Sequence, residues 1–549
     1  MKKLLAIVIS MAMIVAMMPV GVFGTNTAAT VTTAEQLKEA LEQGGNVQLG
    51  TDIDISNSTN KVSVPAGKSA ILDLNGNTLT AANTVVGNIC VYGELTLEDS
   101  KGNGKILSKT EYDGSVNTTK TVINVDGNGK FTMESGEIYT SIDEDAENKG
   151  NFAIGVWADA EAVINGGKVT AGWFAVATNG SDGGRSHIIV NGGELISIAD
   201  YAIYAAQKQG SVQINGGTIY GYAGGIAMNG GNLEVNDGVI TSKGTGDTGT
   251  WGDGTGNLKN AAININAKYS NVMANIKGGK FIAEGDAVVI EKNAANESKV
   301  IITGGTFSGD VSAYVADGYV LKEGTVVKNT NSAEAVASID EQCFKTFAGA
   351  IAAASDRATV KLIKDIKEDI TVPAGKSITI DLNSKSITNS SSDTITVAQG
   401  ANLTIKGTGT VDNITHGKAA LVNYGTAVLD GGTYTRSLED EENNKDSAGK
   451  NSFYTILNDK GGNMTIKNGV NVTNKGHFSS MIRNGGDSAS QSASKLKING
   501  GSFSGGINTV KNDELGELTV SGGSFSNTSQ FVIMNWHKAN ISGGSFEAN

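Results

Sequence analysis

Ile164-Asn165-Gly166-Gly167-Lys168-Val169 returns with little change as Val190-Asn191-Gly192-Gly193-Glu194-Leu195 and as Ile214-Asn215-Gly216-Gly217-Thr218-Ile219. From Asn165 the steps to Asn191, Asn215 and Asn236 are 26, 24 and 21 residues. Looser copies carry Val235-Asn236-Asp237-Gly238, Ile276-Lys277-Gly278-Gly279, Ile302-Thr303-Gly304-Gly305, Leu429-Asp430-Gly431-Gly432, Ile466-Lys467-Asn468-Gly469, Ile498-Asn499-Gly500-Gly501, Val520-Ser521-Gly522-Gly523 and Ile541-Ser542-Gly543-Gly544. Between the phrases lie runs such as Ala202-Ile203-Tyr204-Ala205 and Phe531-Val532-Ile533-Met534, too short for helices and rich in strand formers. A strand-and-glycine repeat of this length is one coil of a parallel β-helix. A single coil cannot bury its inward residues, but coils stacked at the strand spacing of about 4.8 Å pair their backbones and share a core. Leucine-rich repeats have a similar period, but their regular L-x-x-L-x-L frame is missing. The Gly-Gly corner allows a turn where a Cβ would clash or φ must be positive, and the preceding Asn or Ser can stack from coil to coil.

Composition agrees. The chain has 549 residues with 73 Gly, 3 Pro and 2 Cys; 39% are hydrophobic and 18% charged, with a net charge of −13. The absent Gly-X-Y period excludes collagen, the apolar content excludes wholesale disorder, and Cys90 and Cys343 alone exclude a disulfide scaffold. The arginines are Arg185, Arg357, Arg436 and Arg483, and so acidic a chain lacks the clustered cations that nucleic acid requires. Residues 1–24 read as a secretory signal peptide: Lys2 and Lys3, the apolar run Leu4 to Met18, a break at Pro19, and cleavage before Thr25. The run is shorter than the about 20 residues of a membrane span, so the mature chain is expected to be secreted, soluble and not inserted in a membrane.

A longer duplication organises the coils. Val64-Pro65-Ala66-Gly67-Lys68-Ser69 recurs as Val372-Pro373-Ala374-Gly375-Lys376-Ser377, and Leu72-Asp73-Leu74-Asn75 as Ile380-Asp381-Leu382-Asn383. A helix signal precedes each copy. Thr33 and Gln36 suggest a capping box ahead of Leu37, Ala40 and Leu41; Phe344, Phe347, Ala350 and Ile351 form the second stripe. A short helix across the first coil would cover its open edge and core. The organisation expected is a signal peptide at 1–24, a first module at 25–328, a polar linker at 329–342, and a second module at 343–549 that is C-terminally incomplete.

On the opening helix, the VPAGKS turn, the LDLN strand and the NGG or SGGSF coils, the chain resembles right-handed parallel β-helix repeat modules of secreted and cell-surface proteins of Gram-positive bacteria, with the pectate-lyase-like fold. The resemblance implies an all-β, right-handed solenoid of two capped modules. It implies little about activity.

The fold also hosts polysaccharide lyases and glycoside hydrolases. Hydrolysis usually needs two carboxylates across a groove, and no Asp-Asp or Asp-x-Asp pair lies near an arginine in a coil strand; Asp73 and Asp381 are one position in two modules. Arg185 and His187 are the weak alternative catalytic pair, on one face of a strand by period two. No His spacing suggests a zinc site. Two acidic stretches, Asp143, Glu144, Asp145 and Glu147, and Glu439, Asp440, Glu441 and Glu442, follow matching Tyr-Thr strands. They read first as solvated loops and second as sites for Ca²⁺ or sugar, without EF-hand spacing. Trp251, in a glycine-rich loop, is the candidate sugar-stacking residue, whereas Trp157, Trp173 and Trp536 lie near strand runs and are expected to pack. The fold needs no cofactor. The expected function is a monomeric, adhesin-like or structural rod that binds a glycan or surface protein without catalysis; the alternative is a polysaccharide lyase or glycoside hydrolase.

Overall fold

The structure, a computed structural model, describes residues 28–82, 84, 87–108, 120–140, 151–179, 183–244, 259–439, 453–476, 478–486 and 492–548. The chain forms two compact units: residues to Tyr314 together with Leu321–Val326, and Val315–Val320 together with the chain from Val327 onward. Each is a parallel β-helix.

In the first unit the strands fall into three sheets of 11, 12 and 9 strands, called here the first, second and third walls. The chain visits them in turn: Lys130–Met133 lies in the first wall, Glu137–Thr140 in the second, Asn151–Val156 in the third, and Glu161–Ile164 in the first again, beside Lys130–Met133. Register aligns the inward residues into columns. Leu97, Met133, Ile164, Val190, Ile214 and Val235 are paired coil to coil along the first wall, and all are fully buried. Burying each such side chain contributes about 1.5–3 kcal/mol.

The two glycines of a corner have different tasks. A Cβ on Gly166, Gly192 or Gly216 would stand 2.5–2.6 Å from the carbonyl oxygen of Glu134, Asn165 or Asn191 in the coil before. The second glycines, Gly167, Gly193 and Gly217, have φ of 77°, 77° and 83°. The asparagines stack as expected: Asn191, Asn215 and Asn236 each donate from Nδ2 to Oδ1 of the previous asparagine at 2.7, 2.7 and 2.8 Å.

Helix α1 (Ala34–Gln43) opens the first unit, with Leu37 and Leu41 fully buried beneath it. The Thr33 hydroxyl accepts from the Gln36 N–H at 3.2 Å, but the Gln36 side chain accepts from the N–H of Thr32, not of Thr33. The expected capping box therefore closes one residue early. Helix α2 (Phe347–Ala353) opens the second unit, with Thr346 as N-cap and Phe347, Ala350 and Ile351 buried. The VPAGKS turn is the same in both units, with Lys68 N–H to Pro65 O at 3.0 Å and Lys376 N–H to Pro373 O at 3.1 Å. Asp73 and Asp381 each accept the N–H of the asparagine two residues on, at 2.8 and 3.0 Å, and so hold Asn75 and Asn383 at positive φ.

The second unit has walls of 10, 8 and 7 strands. Residues 329–342, expected to be a linker, contain the strand Ala337–Ile339, which pairs antiparallel with both Gln342–Phe344 and Thr359–Leu362. Ala335 and Ala337 are buried there, so this stretch extends the first wall of the second unit as an edge cover. Phenylalanines stack from coil to coil: the buried Phe503 and Phe525 at 4.6 Å, and Phe525 with Phe546 at 5.0 Å, between ring centroids. Among the described residues no helix is long and apolar enough to cross a membrane.

Candidate functional site

The third walls carry side chains that the solenoid itself does not require. On three successive coils of the first unit's third wall two adjacent residues turn inward: Ala153 and Ile154, Ala175 and Val176, Ala202 and Ile203 are all fully buried. This double step puts the flanking positions outside. One outer column runs Asn124, Gly155, Ala177, Tyr204 and Ala227 in register. Beside this column lie Phe152, Trp157, Trp173, Phe174 and Tyr201, forming with its Tyr204 an aromatic cluster.

The rings are fixed. Phe152 and Phe174 are 4.9 Å apart, Trp173 stacks on Phe174 at 4.6 Å, and Phe174 on Tyr204 at 4.8 Å. The Trp157 indole N–H donates to Asn124 Oδ1 and that of Trp173 to Asp200 Oδ2. Gly155 makes room for the Trp157 ring, since a Cβ there would lie 2.5 Å from it; Gly224 does the same for Tyr201, at 2.2 Å. Phe152, Phe174 and Tyr201 are buried, while Trp157, Trp173 and Tyr204 are half-buried. With each indole N–H already bonded, the exposed parts of the two indoles present mainly apolar ring surface. Such surface stacks on the C–H face of a sugar. Burial, with the nearby Asp200 charge, pushes the Tyr201 phenol far above its ordinary value, so it stays neutral.

The third wall of the second unit repeats the plan with different chemistry. Its outer column is Val422, Leu457, Arg483, Lys511 and Met534. Tyr424, Phe453 and Tyr454 cover its apolar half. The inner column beside it is an amide ladder, unforeseen from the sequence: the buried Asn423, Asn458, Asn484 and Asn512 each donate to the next asparagine, the last of them to the exposed Asn535, at 2.7–2.8 Å. The recurring apolar-x-Asn of Ile456-Leu457-Asn458, Ile482-Arg483-Asn484 and Val510-Lys511-Asn512 was its signal.

Asp143, Glu144, Asp145, Glu147, Asp440, Glu441, Glu442 and Trp251 lie outside the described residues. Glu439 is described, and it is not on the surface. Its carboxylate is 1% exposed and pairs with the buried Arg436 at 2.9 Å. It also accepts the Phe453 N–H at 2.6 Å and an N–H of Asn474. It thus ties together the residues on either side of 440–452. Burial pushes its carboxyl above the usual carboxylate range, with Arg436 opposing. Arg185 and His187 take different partners. Arg185 pairs with Asp159 at 3.6 Å, and the Asp159 carboxylate also accepts the Arg185 backbone N–H at 2.8 Å. His187 Nδ1 is 2.7 Å from Ser211 Oγ on the first wall. Trp157 and Trp173 pack against the cluster as expected, and the Trp536 ring lies against the Lys511 ammonium, 4.8 Å from its centroid. Among the described residues no group of three or more His, Cys, Asp or Glu could hold a metal ion.

No family model matches the chain. Over 312 residues, 55% of its length, it is 23% identical to the trimeric autotransporter adhesin AtaA of Acinetobacter sp. (strain Tol 5). The match spans 8% of that protein, so it links this solenoid to part of a protein described as an adhesin.

Proposed function

We propose that the protein is a secreted, surface-displayed, adhesin-like solenoid that binds glycans without transforming them. The observation that carries this reading is the aromatic face on the third wall of the first unit. Its half-buried indoles are locked by hydrogen bonds on their polar edges, and Gly155 seats the Trp157 ring. It spans consecutive coils at the strand spacing of about 4.8 Å, so a chain of sugars laid along the axis meets one ring after another. Pre-set rings lose little side-chain entropy on binding. The signal peptide read from the sequence and the partial match to an adhesin both favour display outside the cell.

The test is a glycan array probed with the whole chain and with Trp157→Ala and Trp173→Ala. Binding of neutral oligosaccharides is expected, weakened about tenfold in each variant, which corresponds to about 1.4 kcal/mol. Circular dichroism should stay unchanged. Release of new reducing or unsaturated ends from a bound polymer overturns the non-catalytic reading. Equal binding by the folded tryptophan variants overturns the site.

A further inference from the structure

The second wall of the first unit turns two unlike columns outward. One runs Thr78, Lys105, Glu137, Lys168, Glu194 and Thr218, in register over six coils. The other, two residues further along each strand, runs Thr80, Leu107, Tyr139, Thr170, Ile196 and Tyr220. The residue between the two columns is buried in every strand, so both columns face away from the core. The solenoid itself does not require this pattern. In the second unit the corresponding columns hold Ser386, Thr410 and Thr433 beside Thr388, Asp412 and Thr435. Leu107, Tyr139, Ile196 and Tyr220 are instead half-buried apolar side chains, and Ile198 just beyond them is 44% exposed. A row of apolar side chains on an outer wall marks a surface that a partner covers.

The charged column indicates which partner. From Lys105 to Glu194 its signs alternate, and the Lys168 and Glu194 side chains, 3.8 Å apart, are 46% and 54% exposed. A two-fold axis between the coils of Glu137 and Lys168, at right angles to the solenoid axis, maps this row onto its own reverse. Lys105 then faces Glu194 of a second copy, and Glu137 faces Lys168 of that copy. Each charge meets the opposite sign across the contact as well as along its own wall. The same axis sets Leu107 against Ile196, Tyr139 against Thr170 and Tyr220 against Thr80, so each of these rings meets a small side chain. A patch that complements itself in this way is what a two-fold dimer uses. The four charges sum to zero, so this face adds nothing to the repulsion between two chains of −13 each. We propose that the second wall of the first unit is a homodimer interface, two copies packing face to face and antiparallel, in place of the monomer expected from the sequence. The six coils span about 24 Å, which puts the contact at the small end of specific interfaces, so the dimer is weak and concentration-dependent. It lies on a different wall from the aromatic face and needs no glycan.

Sedimentation equilibrium of the whole chain up to about 100 μM tests this, with a reversible monomer–dimer equilibrium expected. Lys105→Glu and Glu194→Lys each place like charges across the axis twice, and each should weaken association about tenfold. Mixed one to one, the two variants should recover it. In that mixed pair the two substituted positions face each other with opposite signs, and so do the two unsubstituted ones. Trp157→Ala should associate like the parent, which separates this contact from the glycan face. Circular dichroism should be unchanged in every variant, since the substituted side chains lie outside the core. A monomer throughout the range overturns the proposal. So do folded single-charge variants that associate like the parent, or a mixture that associates no better than either variant alone.

Discussion

Asn484 donates from Nδ2 to Asn512 at 2.8 Å and receives Asn458 on its own Oδ1 at 2.7 Å, with no exposure to solvent. The exposed Asn191 makes the same kind of ladder contact with Asn165 at 2.7 Å, but water can replace it. Asn484→Leu should therefore cost about 1–3 kcal/mol, by stranding a buried donor and a buried acceptor. Asn191→Ala should stay within about 0.5 kcal/mol, as surface changes do. Urea melts of the two variants give the comparison, and equal shifts would show that burial is not what gives the inner ladder its weight. Asp73 supplies a pH term. Burial pushes its carboxyl up, but hydrogen bonds from Gln48, Ser100 and Asn75 outweigh that and hold it below the ordinary value. A depressed folded pKa means that the contribution is complete above the unfolded value of about 3.9 and is lost as pH falls through the lower folded value. Asp73→Asn should thus lower stability at neutral pH and flatten the acid limb of a thermal-melt series. A variant whose acid limb is as steep as the parent's would contradict this.

Each opening helix covers a coil whose inward residues would otherwise meet water. Leu41, on the packed face of α1, is fully buried, and Leu41→Ala should cost about 2–5 kcal/mol through the cavity it leaves. Thr33→Ala removes one cap bond and should cost about 1 kcal/mol. Thermal melts rank the two, and the reverse order would mean that the helix is held by its cap more than by its packed face. These helices, the VPAGKS turns and the Gly-Gly corners were legible because each demands a particular residue at a particular place: a hydroxyl at the N-cap, a glycine at positive φ, an absent Cβ beside a carbonyl. The third wall was not legible in the same way. Simple alternation puts Phe152 on the same side as Ile154, yet Ala153 and Ile154 both turn inward and Phe152 joins the outer cluster. Period-two reading cannot see a strand that repeats a side. Glu439 was misplaced for a related reason. A run of acids reads as a solvated loop, and nothing local shows that its first member pairs with Arg436 inside the coil. The strand Ala337–Ile339 hid in a polar stretch because its partners run antiparallel, outside the coil repeat.

Across the whole molecule a net charge of −13 works against any acidic ligand at long range. Salt relieves that repulsion, because the Debye length falls from about 30 Å at 0.01 M to about 10 Å at 0.1 M and about 3 Å at 1 M. Any association with a carboxylated oligomer should therefore strengthen as salt rises from about 0.01 to 0.1 M. Binding of a neutral oligosaccharide at the Trp157–Trp173 face should change little over the same range, since stacking on apolar ring surface involves no net charge. Titrations of both ligand types on one preparation make the comparison. A monotonic fall for the acidic ligand would mean that attraction dominates at every distance, and that the overall charge of the chain has no part in how the ligand approaches.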